Sequence, residues 1–300
     1  MREFTQHNQT LTKNDFDQLL KLALFEDVQS TGDLTCLALV SESAQGAAAI
    51  VARTEGILSG IPLVPHILSA VDSNLAWKPA LEDTAELTRG TVVGTIRGSA
   101  RGLLQAERLI LNFLGRLSGI ATLTKKYVDA LRGTQSQIYD TRKTTPGWRR
   151  LEKYAVHCGG GRNHRTGLYD AILIKDNHLA LGRQEGTPFS PAEAVIRAKE
   201  FLRQQVADSP MVEIEVDTLE QLREVLLTKP DIVLLDNMTP LQFAEAVRIR
   251  NTIKPGVQLE ASGGITLETV RCVAETGVER ISVGALTHSA VSLDFGLDWE

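Results

Sequence analysis

Met211-Val-Glu-Ile-Glu-Val216, a helical segment over 218–228, then Asp231-Ile-Val-Leu-Leu-Asp236: the reading of this stretch decides the fold. A short apolar run ends in carboxylates, a segment of helical length follows, and a second apolar run ends in a carboxylate again. Such runs, bounded by polar residues, read as buried strands. Working outward, the same alternation holds from Ile138 onward. Strand-like cores fall at 138–141, 171–175, 211–216, 231–236, 257–261 and 279–284. Helical stretches near 147–158, 191–206, 218–228, 240–250 and 267–276 separate them. Strand alternating with helix means parallel βα units, and six in succession predict an α/β barrel, closed or nearly so. Periodicity alone leaves a doubly wound sheet open.

Upstream, the pattern is mixed α and β. Phe16, Leu19, Leu20, Ala23 and Leu24 recur at helical spacing over 14–25, with Thr12 or Asn14 placed to cap. Short apolar runs near 48–52, 75–77, 85–87 and 92–96 are divided by Gly, Pro and Asp and read as strands. Residues 101–131 carry a long helical pattern, expected to break near Ser118-Gly119 and to bridge two domains.

With 43% hydrophobic and 23% charged residues in 300, the composition is that of a soluble protein with a sizeable core. No apolar run approaches the roughly 20 residues that span a membrane, and the start, Met-Arg-Glu-Phe-Thr-Gln-His-Asn, has no signal-peptide character. A cytoplasmic location is the default expectation, with no membrane partner. Cys36, Cys158 and Cys272 lie far apart, which argues against a disulfide framework or a thiolate zinc site and reads as three buried or partly buried thiols. The net charge of −5 gives no reason to expect nucleic acid. Residues 140–178, however, hold eight Lys/Arg against four acids, so that window is +4 and the remainder −9. Such local excess suits a small polyanion.

The apolar runs end in chemistry. Asp140-Thr-Arg-Lys143, Lys175-Asp-Asn-His178, Glu213 and Glu215, Asp236-Asn237, Ser262-Gly-Gly264 and Ser282-Val-Gly284 all close strands. A cap or turn explains any one of them; in a parallel barrel all six converge on one rim, where active sites are built. Arg142, Lys143, Arg165 and Lys175 form a cationic wall for carboxylates and phosphates. His164 adjoins Arg165 beyond the Gly159-Gly-Gly161 loop. Arg149, Arg150 and Lys153 fall on a helix and read as its solvated face. Glu215 and Asp236, one strand apart, invite Mg²⁺ or ribose hydroxyls. The Ser262-Gly263-Gly264 and Val283-Gly284-Ala285 turns present N–H groups to a phosphate.

These residues also carry a close resemblance. Asp140-Thr-Arg-Lys-Thr-Thr-Pro-Gly-Trp-Arg149, Leu151-Glu-Lys-Tyr-Ala-Val156, Gly159-Gly-Gly-Arg-Asn-His-Arg165 and Ile174-Lys-Asp-Asn-His178 resemble the signature of quinolinate phosphoribosyltransferases. Glu26-Asp-Val-x-x-x-Gly-Asp-x-Thr35, Glu107-Arg108 with the helix after it, Leu234-Leu-Asp-Asn237 and Glu260-Ala-Ser-Gly-Gly-Ile265 extend the likeness over about 20–290. The resemblance implies an N-terminal α/β sandwich domain over 1–117, an α/β barrel over 118–287, and a tail over 288–300 packing back on the N-terminal domain. It implies a homodimer with shared active sites, higher assemblies being left open. It implies that Arg142, His164, Arg165 and Lys175, with Thr144 nearby, hold quinolinate, and that Arg108 comes from the partner subunit. Lys143, Glu215 and Asp236 would surround phosphoribosyl pyrophosphate and its Mg²⁺, and Ser262, Gly263, Gly264, Val283, Gly284 and Ala285 its 5′-phosphate. Trp148, Arg162 and Thr228-Lys-Pro230 depart from the family's usual residues without touching an expected contact, except that Arg162 adds charge near the site.

The implied reaction is pentosyl transfer with decarboxylation, giving nicotinate mononucleotide for NAD biosynthesis. The nearest rival is a sister phosphoribosyltransferase acting on nicotinate or another aromatic acid; the number of cations favours a dicarboxylate. A barrel aldolase or phosphosugar decarboxylase using Lys175 as a Schiff-base nucleophile is a second rival, weakened by the crowd of cations around that lysine. A lipoyl-like hairpin over 85–98 is weaker still, since its Arg89-Gly90 turn carries no lysine.

Overall fold

Capping chemistry starts two helices of the second half. Thr218 Oγ1 accepts the Gln221 N–H while the Gln221 side chain returns to the Thr218 N–H, and Thr239 and Gln242 repeat the device before Pro240. The computed structural model describes all residues except 1, 2, 7, 8, 185 and 206–209, and all side chains of those except 183, 184 and 205. The first elements are α1 (Asp17–Val28), α2 (Leu34–Leu39), β1 (Gln45–Ala52), β2 (Gly56–Ile57) and α3 (Val64–Val71). Then come β3 (Ala76–Pro79), β4 (Glu86–Leu87), β5 (Val92–Ser99), α4 (Ala100–Ala130), β6 (Gln137–Tyr139) and α5 (Arg149–Cys158). β7 (Ile172–Ile174), α6 (Asp176–Leu181), β8 (Arg183–Gln184), β9 (Thr187–Pro188) and α7 (Pro191–Gln205) follow; the expected helix end at 206 lies outside the described residues. Last are β10 (Val212–Val216), α8 (Leu219–Leu227), β11 (Ile232–Asp236), α9 (Pro240–Ile253), β12 (Gln258–Ser262), α10 (Val270–Ala274), β13 (Arg280–Ser282), α11 (Ala285–His288) and β14 (Phe295–Trp299).

The chain divides into two compact units. One holds residues 7–125, 143–161 and 286–300, and the other holds 1–6, 126–142 and 162–285.

In the first unit an antiparallel sheet runs β14-β1-β5-β3, with β14 pairing β1 from Ala48↔Trp299 to Ala52↔Phe295. α4 buries Leu103, Ala106, Ile110, Phe113, Leu114 and Leu117, an apolar stripe at helical spacing. The expected break near Ser118-Gly119 is absent, for a steric reason. A Cβ at Gly119 would lie 2.1 Å from Val291 O, so glycine there lets the C-terminal tail cross the helix, and Ser118 Oγ accepts the Ser59 N–H at 3.0 Å. The solvated face expected for α5 is also corrected. Residues 151–156 are all buried, Lys153 completely; Arg150 pairs with Asp15 at 2.9 Å, and Arg149 Nε donates to Thr144 Oγ1 at 3.0 Å. Cys36 and Cys158 are buried as expected, but Cys272 of the second unit is exposed.

The second unit is built on six parallel strands in the order β6-β13-β12-β11-β10-β7. Each pairs with its neighbour in sequence, except that the first strand, β6, pairs with the last, β13. That is barrel order; a doubly wound sheet would reverse at a switch point. β11 is buried on both faces, as a strand covered by helices must be. Along β10 the apolar Val212, Ile214 and Val216 alternate with Glu213 and Glu215, which share the opposite face. Phe4 packs with Ala171, Met211 and Ile232 near the strand starts.

Candidate active site

The carboxyl ends of the parallel strands carry the rim. Lys175 follows β7 as the N-cap of α6, and its ammonium pairs with the Glu215 carboxylate. Burial raises the Glu215 carboxyl above its usual range; Lys175 opposes this, while Asp236 and Asp176 reinforce it. Two carboxylates so placed share their field, and a cation there is favoured. Asp236 Oδ2 accepts the Asn237 side-chain N–H at 2.8 Å, and the Asn237 backbone N–H donates to Ser262 O at 3.0 Å. Asn237 is held at φ 53°, and any Cβ on Gly263 would come within 2.2 Å of Asn237 Oδ1. Glycine at 263 is therefore what allows these two strand ends to meet. Gly264, at φ +60°, has open space beside it. The Val283 N–H donates to Tyr139 O at 2.9 Å; Val283 is buried, and Gly284 and Ala285 are half-buried.

Beside this rim stand two guanidiniums. Arg165 is buried and donates from Nη1 to Ala171 O at 2.9 Å, yet its Nε has no partner, and neither has the buried Nε of Arg142. Burial, then the neighbouring Arg142, disfavours the Arg165 cation. Two adjacent cations with unmet donors call for an anion.

His164 lies deeper. Its N–H donates to Asp140 Oδ1 at 2.9 Å, and its Nδ1 accepts the Arg165 N–H at 2.8 Å, so the ring proton sits on Nε2. Nε2 is 2.9 Å from Glu213 Oε2 and 3.5 Å from Glu260 Oε1. The approach is close but poorly directed, and neither Glu213 oxygen has a well-aligned donor. Arg280 Nε donates to Glu260 Oε2 at 2.8 Å. Burial pushes the Glu213 carboxyl up to about 7 against the pull of Arg280, Arg165 and Lys175. His164, Glu213 and Glu260 bring ligand atoms within 4.8 Å of one another, a spacing that could hold a metal. Here the guanidinium of Arg280 already supplies the cation, and the histidine nitrogen that faces the acids carries a proton. This is an internal charge layer beneath the rim.

The remaining candidates belong to the first unit. Arg108 is exposed on α4 and lines a cleft of about 460 Å³ with Asn112, Arg116, Thr145 and Trp148. Lys143 is exposed, and its carbonyl accepts Thr287 Oγ1 at 2.7 Å. The loop that follows is anchored by Glu152, which is fully buried and takes the Thr145 N–H at 3.1 Å and the Arg116 guanidinium at 2.6 Å.

Ser282, already read as a strand end, has a buried Oγ without a hydrogen-bond partner; Glu260 and Arg280 had no role from the sequence. A charged residue inside an otherwise buried strand was the available signal.

The comparisons agree with one another. Residues 33–118 match the family described as quinolinate phosphoribosyl transferase, N-terminal domain, and residues 120–298 match its C-terminal domain. A nicotinate-nucleotide pyrophosphorylase [carboxylating] of Mycobacterium leprae is 42% identical over 281 residues, covering 93% of this chain and 95% of its own. A quinolinate phosphoribosyltransferase [decarboxylating] of Nicotiana tabacum is 40% identical, covering 94% and 82%. The solved structure of the nicotinate-nucleotide pyrophosphorylase from Francisella tularensis superposes with a TM-score of 0.89 at 35% identity, covering 99% of this chain and 100% of that one.

Proposed function

The chain belongs to the quinolinate phosphoribosyltransferase family, and we infer that its barrel rim performs that reaction with the residues described above. The protein is a phosphoribosyltransferase of NAD biosynthesis, transferring phosphoribosyl from phosphoribosyl pyrophosphate to quinolinate and releasing pyrophosphate and CO₂ to give nicotinate mononucleotide. The observation that carries the assignment of residues is the pair of buried, partnerless Nε atoms on Arg142 and Arg165. A dicarboxylate satisfies both, in the forked geometry that guanidinium favours. Lys175, now paired with Glu215, gives a third cation that can turn to the ligand.

Displacement at the anomeric carbon builds positive charge on the ribose and negative charge on the leaving group. Glu215 and Asp236 face the first, and Lys143, next in the chain to Arg142, serves the second. The two carboxylates also suit Mg²⁺, which prefers carboxylate and phosphate oxygens; bound there with pyrophosphate, it would offset the leaving group's charge. The Ser262–Gly264 and Val283–Ala285 turns receive the 5′-phosphate. The positively charged ring nitrogen formed by the transfer then stabilises the carbanion left at C2 as the 2-carboxylate departs as CO₂, and that carbon takes up a proton.

Calorimetry tests the carboxylate role. Arg165→Ala should lose most of the affinity for quinolinate, and undiminished affinity would contradict the assignment. A cytoplasmic dimer in which Arg108 completes the neighbour's site is part of the same reading, supported by the exposure of Arg108 and its motif position. Arg108→Ala and Lys175→Ala proteins, mixed and allowed to exchange, should regain up to about a quarter of wild-type activity under random two-fold pairing. Verified exchange without recovery would remove Arg108 from the neighbouring site.

A further inference from the structure

The loop that presents His164 and Arg165 is gripped from a distant part of the chain. The Gln6 amide meets Asn163 at two points: Nε2 donates to Asn163 O at 3.0 Å, and Oε1 accepts the Asn163 N–H at 3.0 Å. Asn163 Nδ2 in turn donates to Asp140 Oδ2 at 2.7 Å, and the other Asp140 oxygen takes the His164 N–H. Two residues upstream, the Phe4 ring lies against the His164 ring, with centroids 4.2 Å apart, and beneath the Arg280 guanidinium at 4.7 Å. Glu3 completes the grip: one carboxylate oxygen accepts Tyr139 Oη at 2.8 Å and Arg280 Nη1 at 3.1 Å. Thr5, between the anchors, is exposed.

Carboxylate, ring and amide thus attach to three different parts of the same buried layer. Nothing else about residues 3–6 calls for such a set of anchors, because a peptide needed only to cover the barrel floor would be served by Phe4 alone.

We infer that residues 3–6 are a positioning strap that sets the 162–165 loop for quinolinate. The inference rests on the functional reading above. Gln6 acts through Asn163 and Asp140 on the backbone N–H of His164, and His164 Nδ1 takes the backbone N–H of Arg165. His164 is then a positioning residue as well, holding Arg165 from below. A guanidinium set for a planar carboxylate loses affinity when its backbone shifts, whereas the chain of bonds from Gln6 through Asn163 and Asp140 to His164 leads to the 162–165 loop and not to the phosphate turns at 262–264 and 283–285. The strap should therefore govern quinolinate binding and leave phosphoribosyl pyrophosphate untouched.

The test compares full-length Gln6→Ala with Thr5→Ala. Gln6→Ala should raise KM for quinolinate about tenfold, the scale of two lost hydrogen bonds. Its kcat and its KM for phosphoribosyl pyrophosphate should stay within about twofold of wild type, and exchange of the Asn163 and His164 amides should quicken about tenfold. Thr5→Ala should match wild type throughout. An unchanged quinolinate KM in Gln6→Ala, or equal losses for both substrates, would overturn the strap while leaving the functional reading in place. A wild-type protein that turns over no quinolinate would overturn that reading and the strap with it.

Discussion

Glu213 and Glu215 sit two residues apart on β10, about 6.6 Å along the strand, and share one face of it, yet their surroundings differ. Glu215 is partly exposed at the rim, pairs with the movable ammonium of Lys175 and has a second carboxylate, Asp236, in its field. Glu213 is wholly buried, beside His164 and within the field of Arg280 and Arg165. The strand that alternates inward and outward also stacks its inward residues in layers. The upper layer meets solvent and can exchange partners for a ligand. The lower one keeps its partners and fixes the loop above it. The same residue type serves chemistry or scaffold according to its depth.

Removing each acid in turn should separate the two layers most strongly. Glu215→Gln should lower kcat about 100-fold, as loss of one preorganised charge at a reacting centre does, with the melting temperature within about 3 °C of wild type. Glu213→Ala should do the reverse. Removing one member of a buried charge network costs about 3–5 kcal/mol, which for a chain of this size lowers the melting temperature by roughly 6–15 °C. Thermal unfolding and steady-state kinetics on both variants check this. If both variants lost activity alone, or stability alone, the two layers would not differ in the way described.

A smaller effect sharpens the contrast. The Glu213 carboxyl is raised to about 7 in the folded protein and titrates near 4.3 when unfolded. Between those values the folded state holds a proton that the unfolded state has released, so stability falls as pH rises from about 5 to 8. The fall should be on the order of 1–3 kcal/mol, and Glu213→Gln, neutral throughout, should flatten it. Denaturant melts at pH 5, 6, 7 and 8 measure it. A wild-type curve flat over this range, or one that rises, would mean that Glu213 is ionised throughout.

The barrel was legible because its strands and helices are regular. The strand cores lie within a few residues of their expected positions. The rim was legible for the same reason: parallel strands deliver their polar ends to one side. Other features were not, since they depend on pairings far apart in the chain. Gln6 meets Asn163 across 157 positions, and Glu3 meets Arg280 across 277. Lys153 read as surface because a charged side chain on a helix usually is, and only the packed structure shows it buried. Gly119 read as a break because its value lies in what crosses it. His164 was expected at the ligand; its ring nitrogens engage the adjacent Arg165 N–H and Glu213, and the second of these is a partner that sequence spacing does not reveal.

A rim with this many cations should hold two carboxylates and release one of them as CO₂. The most direct measurement follows purified protein with phosphoribosyl pyrophosphate, Mg²⁺ and quinolinate labelled in its 2-carboxylate, counting CO₂ and nicotinate mononucleotide together, with nicotinate as the competing substrate. The expected result is one CO₂ for each nucleotide and a kcat/KM for nicotinate lower by at least about 100-fold, the scale of one or two lost charged hydrogen bonds. Comparable turnover of nicotinate, or nucleotide formed without CO₂, would contradict the account.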